Sequence, residues 1–128
     1  MAKKIIFSDK APAALGPYSH AVEANGTLFV SGQVPLVPET GEIAEGGIKG
    51  QTKQSLANID AILKEAGYTK YDVVRAGIFV ADMNDFPVVN EVYGEYFESH
   101  KPARATVEVA RLPKDVGVEI DVIAIKDK

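Results

Sequence analysis

Cysteine is absent from this sequence, and histidine occurs only twice. The first absence excludes thiol nucleophiles, iron–sulfur clusters and disulfides within one chain. With so few imidazoles, no structural zinc site can be assembled either. Arginine is nearly as scarce, at Arg75, Arg104 and Arg111. The formal net charge is −4, from 14 Lys and Arg against 18 Asp and Glu, and the sequence pI is near 5.2. That balance leaves no electrostatic footprint for nucleic acid. Long apolar runs are lacking too. The longest uncharged stretch, residues 24–38, is interrupted by Asn25, Gly26, Ser31, Gln33 and Pro35, so it spans no bilayer. At the start, Lys3-Lys4 is followed by only Ile5-Ile6-Phe7 before Ser8-Asp9. This is too short for the apolar core of a secretory signal, and a cytoplasmic location is expected.

What is present is ordinary globular material. Apolar residues at 46% and charged residues at 25% match the average for soluble domains, and 128 residues can bury one core without staples. Residues 1–128 are therefore read as a single domain. Strands are expected at residues 3–7, 18–24 and 27–31, with Asn25-Gly26 supplying a tight hairpin turn. Residues 34–50, rich in Gly and Pro, read as a long loop, and loops of that length are often functional. A helix is expected over residues 51–66, where Leu56, Ile59, Ala61, Ile62, Leu63 and Ala66 recur at spacings of three and four, with Gly67 as its stop. A strand at 72–81 and a helix at 84–99 follow, the helix capped by Asp82 or Asn84. Strands at 104–112 and 118–126, joined through Pro113-Lys114-Asp115, close the chain. The order predicts an α+β domain, a single mixed β-sheet with two helices on one face.

The strand alternation carries a further expectation. Val74, Ala76, Ile78 and Val80 share one face, and Val73, Arg75, Gly77, Phe79 and Ala81 the other. In the last strand Val118, Ile120, Val122 and Ala124 oppose Glu119, Asp121, Ile123 and Ile125. Two helices cover one face only. The second face, half apolar with a few charges, points to a homo-oligomer that buries it.

Carboxylates, hydroxyls and the few Arg must carry any chemistry. Arg104, Thr106 and Glu108 share a face of their strand, and Glu119 begins the polar half of the next one. If those two strands pair as a hairpin, a guanidinium and a carboxylate line one cleft. The Arg would then hold a small carboxylate bidentately, and the Glu would activate a water. The alternative is that Arg104 pairs with Glu108, Glu119 or Asp121 on a solvated sheet. Tyr18 after Gly16-Pro17, and Ser31-Gly32-Gln33, read either as ligand-facing hydroxyls beside a close-approach glycine or as turn and packing residues. His20 and His100 lack ligand spacing, and His20 reads as a strand surface residue. No metal is proposed. Gly46-Gly47 and Gly50 match no phosphate-binding pattern. Glu39, Glu42 and Glu45 read as a solvated acidic loop, the alternative being a low-affinity cation contact, and Tyr93, Tyr96 and Phe97 read as core.

The stretch from Pro102 to Ile120, PARATVEVARLPKDVGVEI, resembles the C-terminal signature of the RidA/YjgF family. Ala11 to Tyr18 (APAALGPY), Val30-Ser-Gly-Gln-Val-Pro, Asn84-Asp-Phe and Val89-Asn-Glu-Val-Tyr93 are similar to its other motifs, in the same order. The resemblance implies a chorismate-mutase-like fold, assembled as a homotrimer with a site in each intersubunit cleft. It also implies cofactor-free deamination of reactive 2-imino acids, 2-iminobutanoate and 2-iminopropanoate, to 2-oxo acids and ammonia, protecting pyridoxal-phosphate enzymes. By motif, Arg104 would bind the substrate carboxylate and Glu119 would hold the attacking water. Tyr18, Ser31, Gly32 and Asn90 would line the pocket, some from the neighbouring subunit, and the backbone at Thr106 would contact the imine end. Two departures stand out: Thr106 occupies a position where many members have Cys, and the join at residues 99–102 is short. Other roles implied for some members are endoribonuclease or translation inhibitor, which requires a basic groove, and non-catalytic binding of 2-oxo acids. Burial raises and Arg104 lowers the Glu119 pKa, so the sequence does not sign the shift.

Overall fold

Asn25 and Gly26 both take positive φ, 53° and 78°, in the computed structural model, which describes residues 3–126. They close the expected hairpin between β2 (Ala21–Ala24) and β3 (Thr27–Gln33), in the geometry that matches the right-handed twist of paired strands. β1 (Lys4–Ile6) adds to the outer edge of β2. The remaining elements are α1 (Gly47–Glu65), β4 (Val73–Val80), α2 (Phe86–Phe97), β5 (Ala103–Glu108) and β6 (Val118–Ile125). One six-stranded sheet results, in the order β1-β2-β3-β6-β4-β5. All pairings are antiparallel except β4–β5, so the sheet is mixed as expected.

Neighbourhood at the end of the sheet differs from the expected hairpin. β5 and β6 do not pair; β4 lies between them. The crossover through α2 returns β5 parallel to β4 at the sheet edge, as a strand–helix–strand unit does. Residues 109–117 then pass around the end of β4, where Val109 N donates to Val80 O at 2.9 Å and Ala81 N to Gly117 O at 3.1 Å. β6 threads back antiparallel between β3 and β4.

Both helices pack on one face. Leu56, Ile59, Ile62 and Leu63 of α1 and Val89, Val92, Tyr93 and Phe97 of α2 meet Leu28, Val30, Ala76, Ile78, Val80, Val118, Ile120 and Val122 of the sheet. A fully buried Ile such as Ile78 or Ile120 contributes about 1.5–3 kcal/mol from the area it removes from water. An irregularity between Val73 and Arg75 reverses two expected facings: Val73 is buried and Val74 exposed. The extra residue breaks the period of two, which the sequence pattern alone does not register. The opposite sheet face has no helix and carries exposed Phe29, Val107 and Ile125.

α1 begins at Gly47, four residues before the expected start. Gly46 and Gly47 take positive φ, and a Cβ on Gly50 would overlap the Glu45 carbonyl oxygen. Glycine here lets a helical turn pack against its own lead-in. The loop before it is a pinned small hairpin, in which Leu36 bridges Ile43 and buried Asn58 donates to the Val34 and Leu36 carbonyls at 3.1 and 3.0 Å. His20 is buried rather than on the strand surface. Its Nδ1 accepts from Ser8 N at 3.0 Å, and Nε2 donates to Pro12 O at 2.7 Å, so the ring ties residues 8–12 to β2. No helix of the described residues is long and apolar enough to cross a membrane.

Candidate active site

The seven candidate residues separate into two groups on opposite faces of the sheet. Glu119 lies between buried Val118 and Ile120 on β6 and in register with Phe79, so it projects from the helix-free face. Arg104 is in register with buried Ala76 and faces the helices. One chain therefore does not bring guanidinium and carboxylate into a single cleft, contrary to the hairpin expectation. Nor does Arg104 pair with Glu108, Glu119 or Asp121. Its Nη1 donates to Asn90 Oδ1 at 2.8 Å.

The Glu119 half-site is a cleft of about 380 Å³ lined by Leu15, Tyr18, Ser31, Gly32, Val34, Pro113 and Glu119. It is built at the irregularity in β3 between Val30 and Gln33, which swings Ser31 and Gly32 out of the regular ladder. Ser31 Oγ donates to Ser19 O at 2.6 Å, and Tyr18 Oη accepts from Leu15 N at 3.2 Å; both fix the approach to β2. Gly32 has a steric reason to be glycine: a Cβ there would overlap the Glu119 carboxylate, with Glu119 Cδ only 2.9 Å away. The carboxylate is thus laid across the β3 backbone. Half-burial pushes its pKa above the usual glutamate range, and the like charge of Asp121 two residues along the same face pushes it the same way.

The Arg104 half-site is a cleft of about 450 Å³ between the C-terminal half of α2 and β5, with Asn90, Tyr93, Gly94, Phe97, Pro102 and Arg104 among its walls. Arg104 lies over the rings of Tyr93 and Phe86, with its guanidinium carbon 4.9 and 5.4 Å from their centroids. An aromatic bed and one amide contact leave most of the guanidinium fork for an incoming anion. Thr106, in register with Ile78, points to the same side, and its hydroxyl is buried without a partner. The sequence reading placed Tyr93 in the core. It is 7% exposed, but it also forms the wall beneath Arg104. The signal was its spacing of three from Asn90, which puts both on one stripe of α2. Among the described residues no cluster of His, Asp or Glu could hold a metal ion.

The family model described as Endoribonuclease L-PSP, that of the RidA/YjgF proteins, matches residues 8–126. The chain belongs to this family. A RutC family protein of Pyrococcus horikoshii is 54% identical over 98% of this chain and 99% of its own length. A bovine protein named 2-iminobutanoate/2-iminopropanoate deaminase is 48% identical, over 98% of this chain and 92% of its own. The crystal structure of E. coli TdcF with bound serine superposes with a TM-score of 0.93 at 43% identity, covering 97% of this chain and 99% of that one.

Proposed function

We propose that this RidA/YjgF protein hydrolyses small 2-imino acids, such as 2-iminobutanoate and 2-iminopropanoate, to 2-oxo acids and ammonia, without a cofactor, in clefts between three copies of the chain. The carrying observation is the separation of Arg104 and Glu119 onto opposite faces of one sheet. A second copy laid against the helix-free face supplies the missing half of each site, and it buries Phe29, Val107 and Ile125, which water otherwise meets. The deaminase name of the bovine relative supports the reaction.

In this reading the Arg104 fork holds the substrate carboxylate, and Asn90 orients the fork. Tyr18, Ser31 and Gly32 of the adjacent copy shape the opposing wall. Glu119, made more basic by burial and by Asp121, takes a proton from water as the water oxygen bonds to the imine carbon. The C=N π electrons move to nitrogen, which takes up a proton. In the resulting carbinolamine the amino nitrogen takes up a further proton, the C–N bond breaks with its electron pair leaving on nitrogen, and the hydroxyl gives its proton to water, so ammonia leaves with the 2-oxo acid. Imines already hydrolyse in water, so positioning supplies most of the gain. The proposed role is removal of reactive enamine and imine products of pyridoxal-phosphate dehydratases.

The test is a coupled assay in which threonine dehydratase generates the imine and its decay is followed. Wild-type protein accelerates the decay and Arg104→Ala abolishes the acceleration. A wild type no faster than buffer refutes the reading. Serine bound to E. coli TdcF favours one second reading, a non-catalytic sensor of small amino or oxo acids. The same assay separates the two, since a sensor binds at Arg104 without turnover. The endoribonuclease description of the family is disfavoured by the charge of −4.

A further inference from the structure

Buried polar groups without partners are costly, and among the described residues only three side chains carry one: Ser55, Tyr93 and Thr106. Ser55 lies in α1, away from either cleft. The other two flank Arg104. Thr106 is two residues along β5 on the same face, and the Tyr93 ring lies directly beneath the guanidinium. Tyr93 is 7% exposed and lines the Arg104 cleft, yet its hydroxyl bonds to nothing. The neighbouring Tyr96 shows the ordinary alternative, because its hydroxyl donates to Asp60 at 2.7 Å. The same helix thus satisfies one tyrosine within the fold and leaves the other unsatisfied at the cleft.

We propose that the Tyr93 hydroxyl is a ligand-binding group, donating a hydrogen bond to the carboxylate that Arg104 holds. The inference rests on the reading of Arg104 as the carboxylate anchor. Arg104 lies on the Tyr93 ring and is held there by Asn90. When the fork turns toward an anion it uncovers the phenol, and one carboxylate oxygen then takes the Tyr93 proton donor alongside the guanidinium. Burial raises the Tyr93 pKa, and the nearby Arg104 opposes this only in part, so the phenol keeps its proton and remains a donor. Above Gly94, the next residue of α2, the cleft is open: a Cβ there meets nothing within 4 Å. The small residue leaves room for a ligand beside the ring.

The discriminating experiment pairs Tyr93→Phe with Tyr96→Phe and reads both melting temperature and affinity for 2-oxobutanoate by titration calorimetry. Tyr93→Phe deletes an unpartnered hydroxyl, so its melting temperature stays level or rises, while the dissociation constant for 2-oxobutanoate increases about tenfold, as loss of a hydrogen bond to a charged group predicts. Tyr96→Phe shows the converse, a lower melting temperature with unchanged affinity. Equal affinity of wild type and Tyr93→Phe overturns the proposal. So does a clear fall in the melting temperature of Tyr93→Phe, which would mean that the hydroxyl has a structural partner. A wild type that neither binds 2-oxobutanoate nor turns over imine overturns the functional reading together with it. Binding without turnover leaves the Tyr93 contact standing and removes only the catalysis.

Discussion

Gly32→Ala isolates the positioning of Glu119 from the stability of the fold. The added Cβ would overlap the Glu119 carboxylate and lie 2.9 Å from Cδ and 3.2 Å from Cγ, well inside contact distance. The obstacle is the end of a flexible side chain, so relief comes from rotating the Glu119 side chain rather than from moving strands. Gly32 does not have positive φ, so alanine brings no backbone strain, and its smaller unfolded-state entropy contributes about 0.4–1 kcal/mol in favour of folding. The steric and entropic terms roughly cancel in stability, and the melting temperature should stay close to that of wild type. Activity should not, because a displacement on the order of 1 Å in a catalytic group costs about a hundredfold. The coupled dehydratase assay should therefore give a kcat/KM roughly a hundredfold lower. In a Glu119→Ala background, Gly32→Ala should add nothing, since its effect acts through that carboxylate. A Gly32→Ala protein with kcat/KM within about threefold of wild type refutes the assignment of Glu119, because no competent base survives such a misplacement.

Asn58→Ala strands the Val34 and Leu36 carbonyls inside the protein and should lower stability by about 2–4 kcal/mol in urea unfolding, with the loop before α1 the first segment to lose protection from hydrogen exchange. Glu98 sits at φ 59° and ψ −130° at the end of α2, a conformation suited to glycine, and is held by an exposed ion pair to Lys70. Glu98→Gly should raise the melting temperature, because the relieved strain outweighs a solvent-screened pair. The Glu119 pKa is raised above 4.5 by burial first and Asp121 second, so folding favours its protonated form. Its contribution to stability is present below the unfolded value and is lost as pH rises through the folded one. Glu119→Gln should therefore gain stability relative to wild type at pH 7, and lose that advantage below about pH 4 in melts across a pH series.

Element existence and facing were legible in the sequence because they depend on local periodicity and turn chemistry. Asn25-Gly26, Gly67 and the apolar stripe of α1 each act through their own backbone or neighbours three and four residues away, and all appear as expected. The failures have a common origin. Val73 and Val74 exchanged faces because an irregular pairing depends on the partner strand. His20 was read as a surface residue because burial depends on the segment that folds over it. Tyr93 is core, as its helical spacing predicts, but a helical stripe does not say that the same ring also forms the wall of a cleft.

The sequence by itself determined an acidic chain with an α+β fold and a half-apolar second sheet face, and it singled out Arg104 and Glu119 among few candidates. Only the tertiary structure decided that these two stand on opposite faces of one sheet. Strand order is set by the crossover of α2 and by the passage of residues 109–117 around the end of β4. Both are long-range contacts whose free energy comes from packing the helices on the sheet, and no local residue pattern records them. The consequence is that each chain holds two separate clefts, one lined by Tyr18, Ser31, Gly32 and Glu119 and the other by Asn90, Tyr93 and Arg104.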